Sequence, residues 1–147
     1  MHDIEGTLDS ARLALKWGLG LAAFLAGADK FVGLLADWPR YLSPFAVALL
    51  PVAPATFMSL VGVVEMVVGL AILGPWTRPA AYVAMVWLLA IAANLVLTGA
   101  FFDVAVRDVE MAIAAFALAR LTEVGTALDL AVAPADATSV ARARPAA

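Results

Sequence analysis

The sequence predicts an all-α fold: a polytopic membrane four-helix bundle with a short re-entrant or interfacial helix between spans 1 and 2. Three observations carry that prediction. Of 147 residues, 65% are hydrophobic and only 14% charged, whereas a soluble domain is usually about half apolar. The stretch from Pro79 to Phe102 runs 24 residues without a charge, enough to cross a ~30 Å hydrocarbon core at ~1.5 Å per residue. Proline, glycine and charged residues divide the remaining apolar sequence into further segments that must be read beside it.

Residues 1–10, MHDIEGTLDS, form a polar, acidic segment in which Asp9-Ser10 is placed to cap a helix. The first span follows over about 11–36. Only twelve residues, Trp17 to Ala28, separate Lys16 from Asp29, so this span needs snorkelling ends or a partner for Lys30. Ala26-Gly27-Ala28 has the look of a signal-peptide cleavage site. The acidic leader, and the apolar run that continues through Leu35, favour a retained span instead.

Asp37-Trp38-Pro39-Arg40-Tyr41 reads as an interfacial turn. Ser43-Pro44 then opens FAVALL, closed by Pro51 and Pro54. This piece is too short to cross and too apolar for open water, so it is expected to lie on the bilayer or dip into it. The second span covers about 55–73 and turns at Gly74-Pro75-Trp76-Thr77-Arg78 into the third, 79–102. The fourth covers 103–123, with an uncharged core of nine residues from Met111 to Ala119. Residues 124–147 read as a mobile tail, which leaves 11–123 as one transmembrane unit. With four spans, Arg12, Lys16, Arg78, Arg120, Arg142 and Arg144 share one side, against Lys30, Arg40 and Arg107 on the other. That asymmetry puts both termini in the cytoplasm.

The composition also excludes functions. No cysteine is present, so the chain has no disulfide relay, thiolate metal site or cysteine nucleophile. The single histidine is His2, which leaves no Ser-His-Asp set, no metal-spaced histidines and no haem ligand within a span. A net charge of −3 without a basic run argues against nucleic acid as a partner.

The polar residues inside the spans are ordered. Helical spacing aligns Gly20, Ala23, Gly27 and Lys30 on one face of span one. It likewise aligns Gly62, Glu65 and Gly69 on span two, and Trp87, Ala90, Asn94 and Thr98 on span three. Small residues let backbones approach, so these faces are expected to be the helix contacts. Glu65 falls near the midplane; Lys30, Asn94, Arg107 and Asp108 lie toward the other, extracytoplasmic end. The expectation is a polar pocket opening outward, with Glu65 at its floor, Lys30, Arg107 and Asp108 on its upper wall, and Asn94 between. The competing reading is structural: opposite charges neutralise one another and choose which helices pair. Trp17, Trp38, Tyr41, Trp76 and Tyr82 read as interface anchors.

Gly27-Ala28-Asp29-Lys30-Phe31, Trp38-Pro39-Arg40-Tyr41-Leu42-Ser43-Pro44, Gly62-Val63-Val64-Glu65-Met66-Val67-Val68-Gly69 and Phe102-Asp103-Val104-Ala105-Val106-Arg107-Asp108, in that order, resemble the DoxX-like family of small four-helix bacterial membrane proteins. The resemblance covers about residues 10–124. It implies a multi-pass protein of the bacterial cytoplasmic (inner) membrane and, since members are associated with membrane redox systems, a quinone-linked subunit served by a membrane or soluble redox partner. Disulfide chemistry through paired cysteines, known from related four-helix folds, does not carry over to a chain without cysteine. In the quinone reading Glu65 carries the proton, Lys30 and Asn94 hold carbonyl oxygens, and Trp87 stacks on the ring. No residue here stores electrons, which any such reaction requires from elsewhere. The alternative is a non-catalytic lipid- or partner-binding assembly protein, with Lys30 and Arg107 facing an anionic head group. A small proton-coupled transporter ranks third, because no span is broken at mid-membrane.

Overall fold

The computed structural model describes residues 2–132, and all elements among them are helical. Helix α1 runs His2–Val32, a 3₁₀ turn covers Trp38–Tyr41, and α2 is the short helix Pro44–Leu49. Then come α3, Pro54–Leu73, α4, Thr77–Leu97, and α5, Phe102–Val132. Four of these, α1, α3, α4 and α5, are long and apolar enough to cross a membrane. Large apolar side chains such as Leu25, Leu60, Val86 and Ile113 point outward from them, as they do where the surrounding solvent is lipid. The chain is a multi-pass integral membrane protein.

The helices form an up-down bundle in which α1 packs chiefly on α3 and α4 chiefly on α5, with thinner α1–α5 and α3–α4 contacts closing the ring. The α1–α3 seam is glycine against glycine, on the faces the sequence spacing marks. A Cβ on Gly27 would lie 2.5 Å from the Gly62 carbonyl oxygen, and one on Gly69 would lie 2.7 Å from that of Gly20. No side chain fits there, so the two backbones touch. The α4–α5 seam uses alanine instead: Ala80, Ala81 and Ala84 meet Ala115, Leu118 and Ala119, closed by Leu19 and Ile72. With lipid as solvent there is little hydrophobic drive between spans, and close packing of small residues supplies the attraction.

Several boundaries differ from the sequence expectation. Helix α1 already runs through residues 2–10, and Ser10 donates to the Thr7 carbonyl (2.8 Å) rather than capping a start at 11. It ends at Val32, not 36, because Gly33 takes φ +71° and returns its N–H to the Asp29 carbonyl at 2.6 Å, a left-handed helix stop. Helix α4 stops at Leu97, where Thr98 bonds the Leu95 carbonyl and Gly99 and Phe101 both adopt positive φ. Helix α5 continues through 124–132, where the sequence predicts a tail; the rest of that segment, 133–147, lies outside the described residues. The expected piece at 43–54 appears as α2, capped by Ser43, whose Oγ accepts from the Ala46 N–H at 3.1 Å.

Candidate functional site

One end of the bundle is crossed by a strap, residues 33–53, which carries the 3₁₀ turn and α2 and rests on α3 and α4. Beneath it lies the polar cluster. Side chains on a helix lean toward its N-terminus. Lys30, near the end of α1, therefore leans into the bundle, while Glu65, midway along α3, leans back toward the strap. The two helices run antiparallel, and the side chains meet. Lys30 Nζ lies 2.5 Å from Glu65 Oε2, with side-chain exposures of only 4% and 10%. The ammonium also donates weakly to the Ala26 carbonyl (3.4 Å) and sits 3.7 Å from the centroid of the Trp38 ring. A cation–π contact shielded from water is worth about 2 kcal/mol or more.

Trp38 is held over Lys30 by Asp29. The Asp29 carboxylate accepts the Trp38 indole N–H at 2.8 Å and the backbone N–H groups of Leu34 and Leu35 at 2.9 and 3.0 Å. Two adjacent residues thus divide the work, Lys30 pairing inward and Asp29 fastening the strap. The sequence marks Asp29 only as a charge that shortens span one, and Trp38 only as an interface anchor; the structure adds the bond that joins them. The signal that could have found them is an Asp four residues before a helix-ending glycine, followed by an indole donor within reach.

The structure disperses other members of the predicted set. Asn94 does not enter the cluster: its Oδ1 accepts the Ser43 N–H (3.0 Å) and its Nδ2 donates to the Tyr41 carbonyl (2.7 Å). Its amide pins the strap to α4, because a chain crossing the bundle there leaves two backbone groups without partners. Asp108 is buried at 5% exposure, within electrostatic reach of Lys30 and Glu65. Arg107 lies outside, its side chain 63% exposed, with one nitrogen 3.5 Å from Asp108. Trp87 adjoins the Glu65 carboxylate, but its buried Nε1 makes no hydrogen bond of regular geometry. Lys30, Glu65, Trp87 and Asp108 are therefore brought together, Arg107 borders them, and Asn94 stands apart.

Glu65 is not the floor of an open pocket, because Lys30 and Trp38 lie above it. A cleft of about 350 Å³ lies between the strap and the first turns of α3, with Lys30 among its lining residues. Trp38 and Met58 line it, as do Asp37 and Ser59. At the opposite end of the bundle, Lys16 Nζ donates to the Gly74 carbonyl (3.1 Å) and Tyr82 donates to Glu123 (3.0 Å), so Tyr82 is a packing contact rather than an anchor. Trp17 and Trp76 remain exposed, at 55% and 68%. Among the described residues no group of three His, Cys, Asp or Glu side chains is placed to hold a metal ion. No family model matches the sequence, nor does any curated protein or solved structure.

Proposed function

We propose that this chain is a DoxX-like protein of the bacterial inner membrane that holds an amphipathic ligand or membrane partner at the strapped end of its bundle and carries out no chemistry itself. The observation that supports this best is the closure of the polar cluster. Lys30 is spent on Glu65 and Trp38, Asp29 on three donors and Asn94 on two backbone groups. A reactive centre keeps a position free for substrate; the cleft between the strap and α3 touches the cluster only through Lys30 and Trp38, both already engaged. The distribution of arginines supports cytoplasmic termini, with the strap on the extracytoplasmic side.

A quinone-linked role is the second reading, favoured by one observation. The buried, unpaired Trp87 N–H beside Glu65 is a donor–carboxylate combination that a quinone or quinol head could complete, with Glu65 passing the proton. Mass spectrometry of small molecules retained after gentle detergent purification separates the two, with wild type beside Glu65→Gln. A phospholipid held equally by both is the expected result. A quinone held by wild type and lost from the variant overturns the holding role and establishes the redox one.

A further inference from the structure

The cleft has a charge pattern that selects an occupant. Lining it, the Lys30 ammonium is already neutralised by Glu65, and their side chains are 4% and 10% exposed. An anion entering the cleft would therefore meet a spent cation. At the rim stands Asp37, exposed, lining the cleft, and without a side-chain hydrogen bond or ion pair among the described residues. Asp29, just below, carries a second carboxylate satisfied only by neutral N–H donors. With Lys30 paired to Glu65, the unpaired charge lining the cleft is the Asp37 carboxylate, which favours a cation.

Three residues after Asp37, the N-cap of the 3₁₀ turn, and on the turn itself is Arg40, also exposed and also without a side-chain partner among the described residues. Asp37 and Arg40 do not pair with each other, although i,i+3 spacing would allow it. The cap and the turn thus present an unpaired carboxylate that lines the cleft and an unpaired guanidinium that lies outside its lining. The walls suit the rest of such a molecule. Trp38 and Met58 offer apolar and aromatic surface, Ser59 offers a hydroxyl, and Leu34 and Leu35, 83% and 71% exposed, lead outward to lipid. The level is that of α3's first turns, where a bilayer's head groups meet its acyl chains. A volume of about 350 Å³ lies at the small end of the ~300–1,000 Å³ typical of small-molecule sites, sufficient for a head group.

We infer that this cleft seats the ammonium end of a zwitterionic aminophospholipid head group at Asp37, with the phosphate outside the cleft, on the exposed side chain of Arg40. The inference rests on the ligand-holding role proposed above and adds the ligand class. No bond is made or broken; the lipid is held by two charge-assisted contacts with the acyl chains in the bilayer.

The test is native mass spectrometry of the full chain, delipidated in detergent and titrated with phosphatidylethanolamine, phosphatidylglycerol or soluble phosphoethanolamine. Phosphatidylethanolamine is expected to bind about tenfold more tightly than phosphatidylglycerol, the scale of one charge-assisted contact. Asp37→Asn should remove that preference and Arg40→Gln should weaken binding of both lipids. Asp103→Asn, an exposed carboxylate in the first turn of α5, should change nothing. Soluble phosphoethanolamine should bind far more weakly than the lipid; equal binding would show a free amine to be the ligand and overturn the lipid assignment. Equal or better binding of phosphatidylglycerol, or equal effects of Asp37→Asn and Asp103→Asn, also overturns it while leaving the holding role intact. Failure of every lipid to bind, with a quinone retained, removes both.

Discussion

Replacing Lys30 by Met is expected to cost the bundle far more than replacing Lys30 and Glu65 together. The single substitution removes the ammonium 2.5 Å from Glu65 and strands a carboxylate 10% exposed near the middle of α3. Leaving one member of a buried ion pair unpaired typically costs about 3–5 kcal/mol. Neutralisation of Glu65 by a proton would recover part of that, so we expect the lower end, about 3 kcal/mol. Lys30→Met also removes the cation over the Trp38 ring, but its methylenes and sulfur keep most of the apolar contact. Glu65→Leu alone strands the ammonium, still over Trp38, and should cost about as much. In the double variant Lys30→Met/Glu65→Leu both desolvation costs vanish, and a net change within about 1 kcal/mol of wild type is expected. The coupling, obtained as the double minus the two singles, should then reach several kcal/mol. Reversible unfolding of the purified protein in mixed detergent–SDS micelles, followed by helical circular dichroism, measures all four corners of the cycle. Additive effects to within about 0.5 kcal/mol, the margin for independent sites, would show that the two groups do not act as a pair and would refute the ion pair as the centre of the cluster.

Four further outcomes follow from the packing and the strap. Gly27→Ala and Gly62→Ala each drive a Cβ to within 2.6 Å of a facing backbone oxygen; the same unfolding assay should show a loss of about 1–3 kcal/mol each. Gly18→Ala, with nothing within 4 Å, should be neutral or stabilising by helix propensity, about 1 kcal/mol at most. Asn94→Ala leaves the Ser43 N–H and Tyr41 carbonyl without partners, so amide hydrogen exchange should speed up across 41–46 while the α1–α3 seam stays protected; unchanged exchange there would show that the strap does not depend on Asn94. Asp29→Asn keeps shape but lowers the acceptor strength toward Trp38, Leu34 and Leu35. Tryptophan emission should shift to the red in Asp29→Asn, and a Trp38→Phe background should abolish the shift.

What the sequence could and could not show divides along a physical line. The glycine seam was legible because spacing alone carries it: Gly20 and Gly27 on α1, and Gly62 and Gly69 on α3, repeat at seven, and no other residue type allows backbones to touch. The meeting of Lys30 with Glu65 was legible in part, since two opposite charges stranded in lipid must find partners. The absence of open space between them was not. Counting rise per residue puts Glu65 below Lys30 as the floor of a pocket, but the opposite lean of side chains on antiparallel helices closes that space. Asn94 was misplaced for another reason. Its helical face is right, but its partners are backbone groups of a strap whose path depends on tertiary contacts. The ends of α1 and α4 depend on left-handed turns at Gly33 and Gly99, which apolar runs such as FVGLL and TGAFF conceal.

The cluster's placement also says why a membrane bundle would keep charge in its core. Within each tightly packed pair, α1 with α3 and α4 with α5, small residues suffice to hold the helices together. Between the pairs the contact is thinner, and there is no hydrophobic drive in lipid to make up the difference. This is where the polar groups act across the divide: Trp87 of α4 against Glu65 of α3, and Asp108 of α5 within reach of Lys30 of α1. Asn94 adds a third tie, from α4 to the strap that leaves α1. Small residues therefore set the separation of helices within a pair, Lys30–Glu65 adds a polar tie inside the first pair, and Trp87, Asp108 and Asn94 reach across from the second. A neutral Lys30→Met/Glu65→Leu core should leave each pair intact and loosen only their docking. Cysteine pairs introduced into this otherwise cysteine-free chain can report it, with α1–α3 crosslinks unchanged while α1–α5 crosslinks lose efficiency. Equal efficiencies in both would place the specificity of docking in the alanines alone.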